Sequence, residues 1–146
     1  MKRRRINSTA WAETIVQNRP TAPHLADQAM AKLYSAFADL KAGSVDHDLF
    51  DRLASAINIG MIRAEKIDPL CEQPMLAARD ALIRCDAICN RHGRYGFDGP
   101  GIQAVATGLE VYEEILRKST PAQMNAALHE SRLRMEAQVA AEESAS

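Results

Sequence analysis

Residues 90–101, "NRHGRYGFDGPG", interrupt an otherwise helical pattern and mark the corner around which the rest of the chain is arranged. Gly93 is typical of a helix end, because glycine tolerates the left-handed conformation that closes many helices. Asp98 and Pro100 predict a new helix start, since aspartate caps free N–H groups and proline suits a first helical turn. The stretch therefore predicts a fixed corner between two helices rather than a loose loop.

On both sides of this corner, apolar residues recur at the three- and four-residue spacing of helices. The pattern predicts a short helix and then five main helices, over residues of about 8–18, 23–42, 46–66, 74–91, 98–118 and 121–140. No convincing strand pattern is present, and short loops make consecutive helices mostly antiparallel. The predicted fold class is all-α, a single-domain helical bundle of about five main helices plus a short N-terminal helix.

The predicted organisation has a basic disordered tail over 1–7, the helical bundle over 8–140 and a frayed C-terminal tail over 141–146. Pro74 is expected to begin the helix that ends at the corner, because proline suits a first turn. A capping box is expected at the last helix, where Thr120 and Gln123 have the required spacing.

The helical spacing also predicts which side chains face inward. It places Leu25 in the inward stripe of the first main helix, and Met135 and Val139 in that of the last helix.

The composition is ordinary for a globular protein, with 47% apolar and 25% charged residues. No apolar run approaches the ~20 residues that span a bilayer, so no membrane partner is expected. The basic N-terminus lacks the apolar run of a secretion signal. Three cysteines without a regular framework favour a reduced, cytoplasmic protein, and no motif implies a cofactor.

The formal net charge of −1 hides an asymmetry. Lys2, Arg3, Arg4 and Arg5 contribute +4, so the remaining chain carries 14 basic against 19 acidic side chains, or −5. A mildly acidic body is unfavourable for binding nucleic acid, because a nucleic-acid-binding domain is expected to present a basic face to the phosphates. The alternative of a nucleic-acid-binding regulator therefore depends on these four tail residues.

Cys85, Cys89 and His92 lie near one helical face, since residues three and four apart are neighbours on a helix. Thiolates and imidazole are zinc ligands, and Cys71 is a conceivable fourth, so a small metal or redox protein is a second alternative. The cysteines are also in register with apolar residues. Because free cysteine is commonly buried as a small apolar side chain, core packing is the preferred interpretation and no metal site is predicted.

Two arginines, a histidine that can be protonated and an aromatic ring come together at the predicted helix end: Arg91, Arg94, His92 and Tyr95. Cations there complement the helix dipole, but the set also fits a contact patch for phosphate or for an acidic partner. Phe97 is expected to enter the core. Arg94 and Tyr95 then remain as the residues least needed for folding. The four residues 91, 92, 94 and 95 are therefore the predicted partner-binding site.

Four stretches resemble uncharacterised small helical proteins of proteobacterial prophages and related mobile elements: "RRRINSTAW", "LASAINIGMIRAE", "ARDALIRC" and "HGRYGFDGPGI". The resemblance implies a small intracellular accessory protein and supplies no catalytic residues. Cys85 and Cys89 are not features of that group.

Together the observations predict a non-enzymatic accessory or regulatory protein that acts by binding another macromolecule, with a host or phage protein as the expected partner. Self-association is a further expectation, because an Ala-rich bundle can bury part of an apolar stripe between subunits.

Overall fold

The computed structural model describes residues 18–145, and these residues form five α-helices and no strand. The helices are α1 (Pro23–Lys41), α2 (His47–Ile67), α3 (Pro69–His92), α4 (Gly99–Lys118) and α5 (Pro121–Ala145). The all-helical prediction is confirmed for this part of the chain. The predicted short helix over 8–18 and the basic tail over 1–7 lie outside the described residues, apart from residue 18.

Polar side chains define where most of the helices begin. Asp46 accepts from the Asp48 N–H at 2.9 Å and caps α2, and Asp68 caps α3 by accepting from the Leu70 N–H at 3.0 Å. Such caps satisfy N–H groups that have no partner within the helix.

The start of α5 has the reciprocal capping box that the sequence predicted. The Gln123 N–H donates to Oγ1 of Thr120 at 3.1 Å, and the Thr120 N–H donates to Oε1 of Gln123 at 2.9 Å. The short loop before α5 is therefore held by side chains from both of its ends.

Helix α2 lies at the centre of the bundle and packs against each of the other four helices. Among the described helices, α3 and α4 have the most extensive contact. Gly108 allows their close approach, because a Cβ on it would lie 2.5 Å from Cβ of Ala78. The completely buried large side chains come from all of the first four helices: Leu40, Leu53, Ile57, Ile62, Met75, Leu109, Val105 and Cys85.

Helix α3 begins earlier than predicted, at Pro69, and Pro74 lies inside it. Proline at this position removes the hydrogen bond to the carbonyl of Leu70, one turn earlier. Because Leu70 is exposed, water can reach that turn and take the missing hydrogen bond. The predicted helix start at Pro74 is therefore wrong.

Two of the predicted inward faces also need correction. Leu25 is exposed, and the inward face of α1 begins one residue later, at Ala26. In α5 no residue after Ser131 is buried, so Met135 and Val139 are exposed. Met135 borders a hollow of about 260 Å³ between α5 and the helices α2 and α3, because α5 stands off from the bundle there. The helix nevertheless continues to Ala145, where fraying was predicted from 141.

Candidate functional site

The corner between α3 and α4 is fixed by its backbone and by one ion pair. Gly93 has φ of 78°, and its N–H donates to the Cys89 carbonyl at 2.7 Å, which ends α3. Asp98 accepts from the Gly101 N–H at 2.6 Å and pairs with Nε of Arg84 at 3.0 Å. Arg84 and Gly101 together lower the pKa of the Asp98 carboxyl below its usual value. The predicted helix end at Gly93 and helix start at Asp98 are therefore confirmed.

A cleft of about 690 Å³ opens where this corner meets the end of α1. The Tyr95 N–H donates to the Ser44 carbonyl at 3.0 Å and thereby ties the corner to the loop after α1. We call this feature the basic cleft; its lining residues are Lys41, Ala42, Gly43, Ile88, His92, Arg94, Tyr95, Gly96 and Phe97.

Tyr95 is a core residue, with only 3% of its surface exposed. Its ring stacks on Phe50 at a centroid distance of 4.9 Å, and a hydrogen bond of 2.6 Å joins its hydroxyl oxygen to Nδ1 of His47. Burial, and then the nearby Cys89 and Asp86, raise the pKa of Tyr95 to about 12. The prediction that Tyr95 is dispensable for folding is therefore wrong: its ring builds the wall of the cleft and is not a free contact anchor.

Phe97 packs against the core, as predicted. Its ring meets Phe37 edge to face, with centroids 5.4 Å apart and an interplanar angle of 89°. On the same ring of Phe37 lies Lys41, whose Nζ is 4.4 Å from the centroid, within the range of a cation–π contact. The aromatic pair thus supports one of the cations of the basic cleft.

Lys41, His92 and Arg94 are the ionisable residues that line the cleft besides Tyr95, and all three are exposed. No acidic residue lines the cleft, and among residues 18–145 none of the three forms an ion pair. Both α1 and α3 end here, and their terminal carbonyls carry partial negative charge that such cations partly offset. The three side chains keep their hydrogen-bonding groups available to a ligand.

The predicted partner-binding set is therefore only partly brought together. His92 and Arg94 line the basic cleft, Tyr95 forms its wall, and Arg91 is exposed but is not among the lining residues.

Lys41 and Gly43 belong to the cleft but were not predicted. Gly43 has φ of 93°, and Cδ of Arg94 lies 3.5 Å from the position that a Cβ would take, so the arginine stem lies over a side-chain-free turn. The local signal was present, because Lys41 and Gly43 form the same basic helix end with a glycine stop as 91–93. Sequence alone does not say that two such helix ends meet.

The cysteines take the positions expected of core residues. Cys85 and Cys89 are buried, whereas His92 is exposed and faces the basic cleft. Burial raises the pKa of the Cys85 thiol to about 11, against a lowering by the Gly96 backbone N–H. Within the described part of the chain, no group of three or more histidine, cysteine or acidic side chains is placed to hold a metal ion. The set Cys85, Cys89 and His92, with Cys71 as a fourth, is therefore not assembled as a ligand cluster.

Comparison of the chain with protein-family models, with curated proteins and with solved structures finds no match. The resemblance to prophage-borne helical proteins therefore stays a prediction. Lys2, Arg3, Arg4 and Arg5 lie outside the described residues, so the nucleic-acid alternative is not tested either. None of the helices in residues 18–145 combines the length and apolar character needed to cross a membrane.

Proposed function

We propose that this protein acts without catalysis, by binding an acidic segment of another protein in the basic cleft. The observation that supports this function is the charge of the cleft: about 690 Å³ of open space lined by Lys41, His92 and Arg94 and by no acidic residue. The corner that carries Arg94 is joined to Ser44 and capped at both ends. A partner therefore meets cations on a fixed frame, which lowers the conformational cost of binding.

The positions of the cations favour a short carboxylate-bearing segment. Lys41 lies at the end of α1 and Arg94 in the corner, and the imidazole of His92 lies at the end of α3, so two cations and a further hydrogen-bonding group surround a concave surface. Arginine presents a planar fork that pairs with a carboxylate through two hydrogen bonds. Because exposed ion pairs contribute only about 0.2–1 kcal/mol each, the apolar wall of Ile88 and Phe97 supplies further contact area.

The charge of the whole chain favours a protein partner over a nucleic acid. Without residues 1–5 the net charge is −5, and a long polyanion would be repelled by such a body outside the cleft. A short acidic segment meets only the local positive field.

Selection from a library of random peptides displayed on phage tests this function without knowledge of the natural partner. We expect the chain to enrich peptides with two or more Asp or Glu residues, and the affinity of these peptides should fall as salt is added. The double variant Lys41→Ala with Arg94→Ala should lose at least about tenfold in affinity, which corresponds to about 1.4 kcal/mol.

The matched control removes the same charge from another face. Lys32→Ala with Arg52→Ala deletes two exposed cations that flank a hollow between α1 and α2, and it should leave the peptide affinity unchanged. Enriched peptides without acidic residues, or equal losses in the two double variants, would contradict the proposed function.

A further inference from the structure

The second half of α5 presents an unpartnered face to the outside. Ala127 and Ser131 are the buried residues of this helix, and at 100° per residue the opposite side is well defined. Leu133 lies on that side and is 46% exposed. The residues of this side, which we call the outer face, are Arg132, Leu133, Glu136, Ala137 and Ala140.

A groove between α2 and α3 is the complementary feature. It encloses about 220 Å³ and is lined by Phe50, Ala54, Asn58, Arg79, Leu82, Ile83 and Asp86. Ile83 is 60% exposed at its rim. This α2–α3 groove shares no residue with the basic cleft.

The two charged residues of the groove are incompletely paired. Nε of Arg79 is buried without a hydrogen-bond partner in residues 18–145, and the other contacts of the guanidinium are long: Nη1 donates to Sδ of Met61 at 3.8 Å, and Nη2 lies 3.6 Å from the adjacent Asp80. Asp86 is exposed and makes no ion pair in this part of the chain. A buried donor without a partner destabilises a fold, and a carboxylate that approaches this guanidinium would supply an acceptor.

We propose that the occupant of this groove is a second copy of the chain, whose outer face of α5 lies in the groove antiparallel to α3. Glu136 of the second copy then faces Arg79, Arg132 faces Asp86, and Leu133 enters the apolar hollow. Arg132 and Glu136 are one turn apart on α5, about 6 Å, and Arg79 and Asp86 are two turns apart on α3, about 11 Å. The long arginine side chains span the difference.

Two-fold symmetry makes each copy both donor and acceptor of a helix. One association then covers two outer faces and two grooves, as isologous interfaces do. Arg132 and Glu136 are exposed and form no ion pair within the described residues, so pairing with a second copy breaks no existing ion pair of theirs. Arg134 is unaffected, because it is already held by Glu65 at 2.9 Å and Glu130 at 3.1 Å.

Sedimentation equilibrium of the full chain with a charge exchange tests this dimer. The wild type should show a monomer–dimer equilibrium, and Arg79→Glu and Glu136→Arg should each weaken the dimer at least about tenfold by placing like charges opposite each other. An equimolar mixture of the two variants should regain the affinity of the wild type, because both contacts in the mixed dimer pair opposite charges. A wild type that stays monomeric at every concentration, or a mixture that fails to associate, would overturn the proposal.

Two leucines of similar exposure give a control that does not depend on Arg79. Leu133→Glu should abolish the dimer, whereas Leu25→Glu changes an equally exposed leucine, 48% against 46%, on α1 and should leave it intact. Both substitutions affect exposed positions, so circular dichroism should show unchanged helix content. Equal dimerisation of the two variants would contradict the assignment of this face.

Discussion

Replacing Tyr95 by alanine should destabilise the protein severely, although the residue lies in the short segment between α3 and α4, where its neighbours Arg94 and Asp98 are exposed. The substitution empties a buried site, removes the stacking on Phe50 and deletes the hydrogen bond to His47. Large aromatic side chains replaced by alanine in cores cost about 3–5 kcal/mol, and stacking contributes about 0.5–1.5 kcal/mol of such losses. We therefore expect the free energy of unfolding to fall by about 3–5 kcal/mol.

Two further variants at the same corner separate the contribution of the buried ring to the free energy of unfolding from that of the hydroxyl and of the neighbouring side chain. Tyr95→Phe keeps the stacked ring and removes only the hydroxyl, so a loss of about 1 kcal/mol is expected. Arg94→Ala changes an exposed side chain and should remain within about 0.5 kcal/mol of the wild type.

Urea unfolding followed by circular dichroism measures the free energy of unfolding of all three variants. The slope of this free energy against urea concentration shows whether the surface exposed on unfolding stays the same. If Tyr95→Ala costs less than about 1 kcal/mol, or if Arg94→Ala costs as much as Tyr95→Ala, the division of the corner into a buried wall and an exposed cation is refuted.

Three other variants or conditions test the core. The free energy of unfolding should fall as pH rises from 10.0 to about 12, because Tyr95 ionises in the unfolded state over this range but keeps its proton when it is buried in the folded state. The free energy of unfolding of Tyr95→Phe should fall less over the same pH range, and an equal fall would contradict the raised pKa of Tyr95. Cys71 should react with a thiol reagent under native conditions, whereas Cys85 should react only after unfolding. Mass spectrometry identifies the labelled cysteine, and labelling of Cys85 in the folded protein would contradict the prediction. The free energy of unfolding should fall by up to about 2 kcal/mol in Gly108→Ala, since overpacking against Ala78 costs ~1–3 kcal/mol and helix propensity returns ~1 kcal/mol of it. Gly99→Ala, with no atom nearby, should lose none.

Local chemistry made the helices and their ends predictable from the sequence. The stop at Gly93, the cap at Asp98 and the box formed by Thr120 and Gln123 each involve residues at most four positions apart. The place of Pro74 inside the helix was not predictable, because such a proline is tolerated when the residue that carries the freed carbonyl is exposed, as Leu70 is, and the sequence does not show that exposure.

The candidate site was predictable only in part, because it depends on which distant segments meet. The sequence grouped Tyr95 with Arg94, yet the contacts of Tyr95 come from Phe50 and His47, more than 40 positions earlier. Lys41 could not be assigned to the cleft from the sequence for the same reason, since its place beside His92 follows from the packing of α1 against the corner. In α5, helical spacing indicated an inward stripe through Met135, but the helix stands off from the bundle there.

The central claim, that the basic cleft binds an acidic protein partner, is tested most directly by affinity capture from cells of the organism that encodes the chain. Three tagged baits are compared by quantitative mass spectrometry: the wild type, Lys41→Ala with Arg94→Ala, and the control Lys32→Ala with Arg52→Ala. We expect one protein with an acidic segment to be captured by the wild type and the control and lost with the cleft variant. Retention of every captured protein by the cleft variant would contradict the claim.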